Sequence, residues 1–327
     1  MKIPGLVDLQ VNGFKGVDFS SPDLTEEKFI QTCRMLLNNG ITSFLPTIVT
    51  SPEDVYRNNL SMMAKVIDIP EFAGCLPGIH VEGPFISPEP GAYGVHNPDW
   101  IRKPDIKFLD KLIEWAQGKI KIVTIAAEVE GAEELTQYAV SKGITVSLGH
   151  QTAIEEDLDR IVRAGATALT HFGNGIPNTI HRHLNPIWAG LSNDNLTAMI
   201  IADGHHLPYS ILKSIIRVKG VSRLIVVSDA SPLAGMPPGR YKYGGEDVIL
   251  EENGLLHNIR RNCLAGSSST MMDCMNHLAL LKFLSTDELV EVCFYNPLRL
   301  IGVDFHHIVS FQSVFFDEER GIFSLED

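Results

Sequence analysis

Eight short apolar runs, most of them separated by amphipathic stretches of helical spacing, constrain the fold of this chain more than any other feature. They are Gly5 to Val11, Ile41 to Val49, Ile79 to Val81, Ile120 to Ala126, Ile144 to Leu148, Ala168 to Thr170, Ala198 to Ala202 and Leu224 to Ser228. Between the first two, Phe29, Cys33, Leu36 and Leu37 recur at a helical period from Pro22 to Asn39, and Gly40 stops the pattern. Ser51-Pro52-Glu53-Asp54 reads as a helix start: a serine cap, proline at the first helical position and acids in the first turn. The strands are continuously apolar, which suits a parallel sheet covered on both faces. Strand alternating with helix therefore predicts an α/β fold, a (β/α)8 TIM-like barrel. An open doubly wound sheet is the competing architecture, but no Gly-x-Gly-x-x-Gly opens a helix after any of these strands.

Beyond Asp229 the pattern changes. Tyr241 to Ile259 reads as a hairpin insert with turn signals at Gly244-Gly245 and Asn253-Gly254. Leu264 to Met271 (L-A-G-S-S-S-T-M) leads into a helix, a second helix breaks at Pro297, and the apolar tail from Ile308 to Phe323 reads as one or two strands. Residues 1-304 are expected to form the barrel and 305-327 a short C-terminal β tail. The net charge of -13 argues against nucleic acid as a partner, because a phosphate backbone needs a cationic face. No apolar run is long enough to span a membrane. Five scattered cysteines without a Cys-x-x-Cys pair, and an N-terminus without a signal-peptide core, point to a cytoplasmic setting.

The polar residues fall at the strand ends. Glu82 closes the third strand, His150 the fifth, His171 the sixth and Asp229 the eighth. In a closed barrel all carboxyl ends share one rim, so side chains far apart in sequence can converge there. Two imidazoles and a carboxylate make a good ligand set for Zn²⁺ or Fe²⁺, and another carboxylate can shuttle protons. Each residue alone has an ordinary explanation as a packed histidine or a helix cap, whereas four at rim positions form a pattern. The Pro- and Gly-rich loop after Glu82 adds a further polar candidate, His96. His80 lies on the same side of its strand as Glu82 and reads either as support for it or as a packed barrel histidine.

In their order along the chain, several motifs resemble the N-acetylglucosamine-6-phosphate deacetylase family of the amidohydrolase superfamily. They are P-G-L-V-D-L-Q-V-N-G, G-I-H-V-E-G-P-F, G-V-H-N-P, S-L-G-H, T-H-F-G-N, A-D-G-H-H, V-S-D-A and L-A-G-S-S-S-T-M, between Pro4 and about Ile301. The resemblance implies a divalent metal, Zn²⁺ before Fe²⁺, held by Glu82, His150 and His171. It makes Asp229 the catalytic acid/base and His96 the group that polarises the acetamide carbonyl. Many relatives carry His-x-His after the first strand; Gln10-Val11-Asn12 here implies one metal. The resemblance also implies a phosphate-binding set of Asn174, Gly175 and His206, with Arg182 as the arginine given across a homodimer interface. Relatives begin with part of a small β-domain, so that domain is expected to be reduced or absent.

What the resemblance implies is removal of acetate from N-acetylglucosamine 6-phosphate, a phosphorylated N-acetyl amino sugar. The same chemistry on N-acetylgalactosamine 6-phosphate or another amide is the near alternative. A non-catalytic sugar-phosphate-binding barrel is the distant one, since binding alone does not need the shuttle acid.

Overall fold

The computed structural model describes residues 1–261, 263–308 and 311–326. Val309 and Ser310, inside the expected tail, and Asp327 at its end lie outside the described residues. The eight apolar runs form β1 (Leu6–Val11), β2 (Ile41–Val49), β3 (Ile79–Glu82), β4 (Ile120–Ile125), β5 (Thr145–Leu148), β6 (Ala168–Leu169), β7 (Thr197–Ile201) and β8 (Leu224–Val227). Each pairs in parallel with its neighbour in sequence, giving an eight-stranded sheet in chain order. The sheet curls into a nearly closed barrel.

Its seam lies between β1 and β8. There Val11 and Ala230 form an isolated parallel bridge, and the Asn12 N–H donates to Ala230 O at 2.8 Å. Deeper in the seam the buried Asp8 carboxylate accepts from Ser228 N at 3.1 Å and from Ser228 Oγ at 2.5 Å. A carboxylate thus takes over hydrogen bonds that a regular ladder would make.

Outside the barrel, α1 (Glu26–Asn38) buries Phe29, Cys33, Leu36 and Leu37, the residues its spacing singled out. It starts later than the sequence suggested, because Thr25 caps it by accepting from Lys28 N, an interaction worth about 1 kcal/mol. The second expected start is also displaced. Pro52 is extended and itself precedes α2 (Glu53–Ile67), while Ser51 Oγ turns back to donate to Val49 O and caps nothing. Five further helices follow β3 to β7: α3 (Ile106–Trp115), α4 (Ala132–Ser141), α5 (Glu155–Arg163), α6 (Pro186–Ser192) and α7 (Tyr209–Lys219). After the insert, α8 (Met271–Leu280) packs against the barrel near its seam.

The expected hairpin insert is a four-stranded antiparallel sheet of β9 (Gly239–Tyr243), β10 (Glu246–Leu250), β11 (Leu256–Asn258) and β12 (Cys263–Leu264). It carries a small core of its own, Leu233, Val248, Leu250, Leu256 and Ala265. The tail forms β13 (Val314–Asp317) and β14 (Ile322–Leu325), and β13 pairs with Lys2–Ile3 at the other end of the chain. Asn276 on α8 clamps this small sheet, accepting from Phe323 N at 2.6 Å and donating to Phe323 O at 3.2 Å. Val314, Phe316 and Phe323 are buried in the same core as the barrel.

Candidate active site

Glu82 is the last residue of β3. His150, His171 and Asp229 each stand two residues beyond the end of a strand, β5, β6 and β8. All three have left-handed backbones, with φ of 51°, 29° and 49°. L-residues avoid that region at a cost of about 1–3 kcal/mol, and where it occurs it turns a side chain where a regular strand would not. Here it brings side chains from three strands to one point on the rim.

At that point His171 Nε2 lies 2.9 Å from Glu82 Oε1 and 3.0 Å from His150 Nε2, and His150 Nε2 lies 3.2 Å from Glu82 Oε1. His150 Nδ1 meets Ala92 O at 2.7 Å, which turns Nε2 toward Glu82 and His171. The three buried side chains present ligand atoms within 4.8 Å of one another and could hold a metal ion. Two imidazole nitrogens and an anionic oxygen, gathered where few protons separate them, fit a divalent cation. Gly175 allows the gathering: a Cβ there would stand 2.9 Å from His150 Nδ1 and 3.1 Å from His171 Cε1.

Burial would raise the Glu82 carboxyl, but hydrogen bonds from His150 and His171 outweigh it and hold the group well below the usual carboxylate range. Burial alone would lower His171; Glu82 reverses the direction and raises it. Asp229 is pushed up to about 6, first by burial and then by the nearby Glu82 charge. His96 is pushed down to about 3 by burial and by His150, so its imidazole is neutral. Its Nδ1 meets Thr50 Oγ1 at 2.8 Å, and its Nε2 is 3.9 Å from Glu82 Oε2.

These residues line one cleft of about 630 Å³. Asn174, Gly175 and His206 line it too, so the structure brings together eight of the nine residues expected to be catalytic, metal-binding or substrate-binding. Arg182 is the exception: it is exposed on the loop after β6, outside its own chain's cleft lining, and its carbonyl accepts from Trp188 Nε1 at 2.9 Å. Among the described residues His80 makes no hydrogen bond to Glu82. It is a buried barrel histidine, with Nδ1 3.0 Å from Leu9 O and Nε2 2.8 Å from Thr124 Oγ1.

Comparison with known proteins identifies the family. Residues 1–306 match the Amidohydrolase family. The N-acetylglucosamine-6-phosphate deacetylase of Rattus norvegicus is 35% identical over 312 residues, covering 92% of this chain and 74% of that one. The chain belongs to this family of deacetylases. The N-acetylgalactosamine-6-phosphate deacetylase of Escherichia coli O157:H7 is also similar, 30% identical over 92% of this chain and 78% of its own. Among solved structures, a variant of the deacetylase from Mycobacterium smegmatis in complex with N-acetyl-D-glucosamine-6-phosphate superposes with a TM-score of 0.88. It is 26% identical and covers 99% of this chain and 84% of that one.

Several polar residues that touch this candidate site escaped the sequence reading. Gln10 and Asn12 looked like merely poor metal ligands; in the structure Gln10 Nε2 donates to Glu82 Oε1 at 3.0 Å and Asn12 Nδ2 to Asp229 Oδ1 at 2.7 Å. Asp203, from the A-D-G-H-H motif, accepts from both His205 and His206 N–H groups and stands 2.7 Å from His206 Nδ1. That leaves His206 Nε2 available to the cleft. A carboxylate three residues before a rim histidine was the signal that could have found it.

Proposed function

We propose that this chain hydrolyses the acetamide of N-acetylglucosamine 6-phosphate, giving glucosamine 6-phosphate and acetate. The observation that carries this reading is the convergence of Glu82, His150 and His171 with Asp229 in one cleft of an amidohydrolase-family barrel. Glu82, His150 and His171 would hold one divalent cation, Zn²⁺ before Fe²⁺. When bound, such an ion lowers the pKa of water to about 7 and polarises a carbonyl oxygen.

The chain's own groups do the rest. Asp229 accepts the proton of the attacking water and returns it to the departing amine, one carboxylate serving as base and then as acid. Burial raises its carboxyl above the ordinary range, which makes it a better base than a free carboxylate. His96, neutral, donates from Nε2 to the acetamide oxygen as charge develops there. That role takes the tautomer in which Thr50 Oγ1 donates to His96 Nδ1. Gln10 and Asn12 orient the two carboxylates through their amide N–H groups.

The phosphate would be met by Asn174, Gly175 and His206. Arg182 is exposed and does not line its own chain's cleft, which suits a residue given to a neighbouring subunit in a homodimer. Five cysteines without a disulfide among the described residues fit a cytoplasmic enzyme. The N-acetylgalactosamine 6-phosphate reading is favoured by the comparable similarity of a relative with that name. Acetate release from both 6-phosphates and from the unphosphorylated sugars tests the proposal. Release from neither 6-phosphate by metal-loaded protein would overturn it.

A further inference from the structure

The insert sheet lies against the loop that carries His96. Tyr243 is the last residue of β9 and pairs with Glu246 across the two-residue turn Gly244-Gly245. That turn has φ of 58° and 79°, which glycine adopts without strain. A Cβ on Gly244 would come 3.9 Å from Val95 O, and the Val95 side chain packs against the insert's core. Arg261 ties the two parts together. Its Nε and Nη2 donate to Glu246 Oε1 at 2.8 and 2.7 Å, and its Nη1 donates to Gly94 O at 3.1 Å. Asn258 Nδ2 also donates to Glu246, so the acceptor is held from two sides.

This latch sets Tyr243 in the wall of the same cleft as Asn12, Glu82, His96 and Asp229. Among the described residues its hydroxyl makes no hydrogen bond to the protein, whereas the neighbouring Tyr241 donates to Pro237 O at 2.6 Å. Burial, then the charges of Asp18, Asp229 and Glu82, hold its phenol well above the usual tyrosine range. It is therefore a neutral donor, half-buried in the cleft wall, whose proton is open to a ligand. Carboxylates on the same wall repel a phosphate, so the oxygen that meets this donor is an uncharged one.

We propose that Tyr243 is a substrate-contacting residue, donating a hydrogen bond to an uncharged oxygen of the N-acetyl sugar while the Arg261–Glu246 latch holds it over the site. The proposal rests on the deacetylase reading above and adds a residue that the family motifs do not include. It also gives the insert a task, since its hairpin tip supplies one wall of the sugar subsite.

The test uses the full metal-loaded chain with Tyr243→Phe and Arg261→Ala. Tyr243→Phe should lower kcat/KM for N-acetylglucosamine 6-phosphate about tenfold, the scale of one lost hydrogen bond. Metal content, melting temperature and inhibition by inorganic phosphate should stay at parent values. Arg261→Ala should lower kcat/KM in the same direction and speed tryptic cleavage after Lys242. A Tyr243→Phe protein within twofold of the parent overturns the contact. Weakened phosphate inhibition in parallel with kcat/KM would put Tyr243 at the anionic end instead and overturn it too. Unchanged tryptic cleavage in Arg261→Ala overturns the latch. A parent inactive on both 6-phosphate epimers removes the deacetylase reading itself, which is a distinct result.

Discussion

Asn12 Nδ2 donates to Asp229 Oδ1 at 2.7 Å, across the seam where the first and last barrel strands meet. Neither residue is near the other in sequence, and the barrel's closure is what makes them neighbours. The amide holds one carboxylate oxygen and so fixes the orientation of a side chain that lines the cleft.

For this reason Asp229→Asn should keep its fold and metal while losing at least about 10²-fold in turnover, the usual scale for a general acid–base group. Asn12→Ala should cost less, about tenfold in kcat, because the carboxylate survives and only its orientation is lost. Steady-state kinetics paired with elemental analysis checks both. A folded, metal-loaded Asp229→Asn protein of near-parent activity would contradict the assigned role.

Protein purified without chelator should carry about one equivalent of zinc or iron per chain. His150→Ala and His171→Ala should each lower both occupancy and turnover. Gly175→Ala should do so without removing any ligand, because the added methyl would stand 2.9 Å from His150 Nδ1 at a backbone φ of 61°. Full occupancy in all three variants would rule out this ligand set.

At the anionic end, Arg182→Ala and His206→Ala should raise KM for the 6-phosphate sugar far more than for the plain sugar. Each charged hydrogen bond is worth about 1.5–3 kcal/mol, or roughly tenfold and upward. Asp203→Asn should follow His206→Ala more weakly, since it holds His206 Nδ1 at 2.7 Å and only orients the ring. If parent kinetics on phosphorylated and plain sugars are equal, the phosphate pocket does not exist.

Asp8 gives the barrel a pH dependence of stated sign. Burial pushes its carboxyl up to about 7, against the hydrogen bonds from Ser228 and Gln10 that lower it. The folded chain therefore holds this proton more tightly than the unfolded chain does. Its contribution to stability is fully present below about pH 4 and is lost as pH rises through about 7. The full swing is about 4 kcal/mol as an order of magnitude. Thermal melts across this range should show Asp8→Asn gaining on the parent as pH rises. A constant difference between the two would remove Asp8 as the source.

Much of the fold was legible because barrel strands are local signals. Each apolar run ends at a glycine, a turn or a polar rim residue, and all eight form strands in chain order. The rim residues were legible for the same reason, since a strand end can be read without knowing its neighbours. What escaped the sequence depends on pairings distant along the chain. No local period announces that Asp8 will meet Ser228, that Lys2–Ile3 will pair with Val314–Asp317 or that Arg261 will reach Gly94 O. The insert's turns were visible, but the cleft wall that its tip builds was not. Arg182 shows the converse limit: its motif context suggested an anion, while its place in one chain is exposed.

His150, His171 and Asp229 all hold left-handed backbones. Glycine would relax each of these positions by removing the clash at Cβ. At each one the substitution that most eases the backbone is also the one that deletes the side chain proposed to work at the rim. Selection for thermal robustness and selection for turnover therefore pull in opposite directions at these three residues. Gains in robustness in homologous barrels should accumulate in the outer helices and the tail, leaving the rim's conformations as they are.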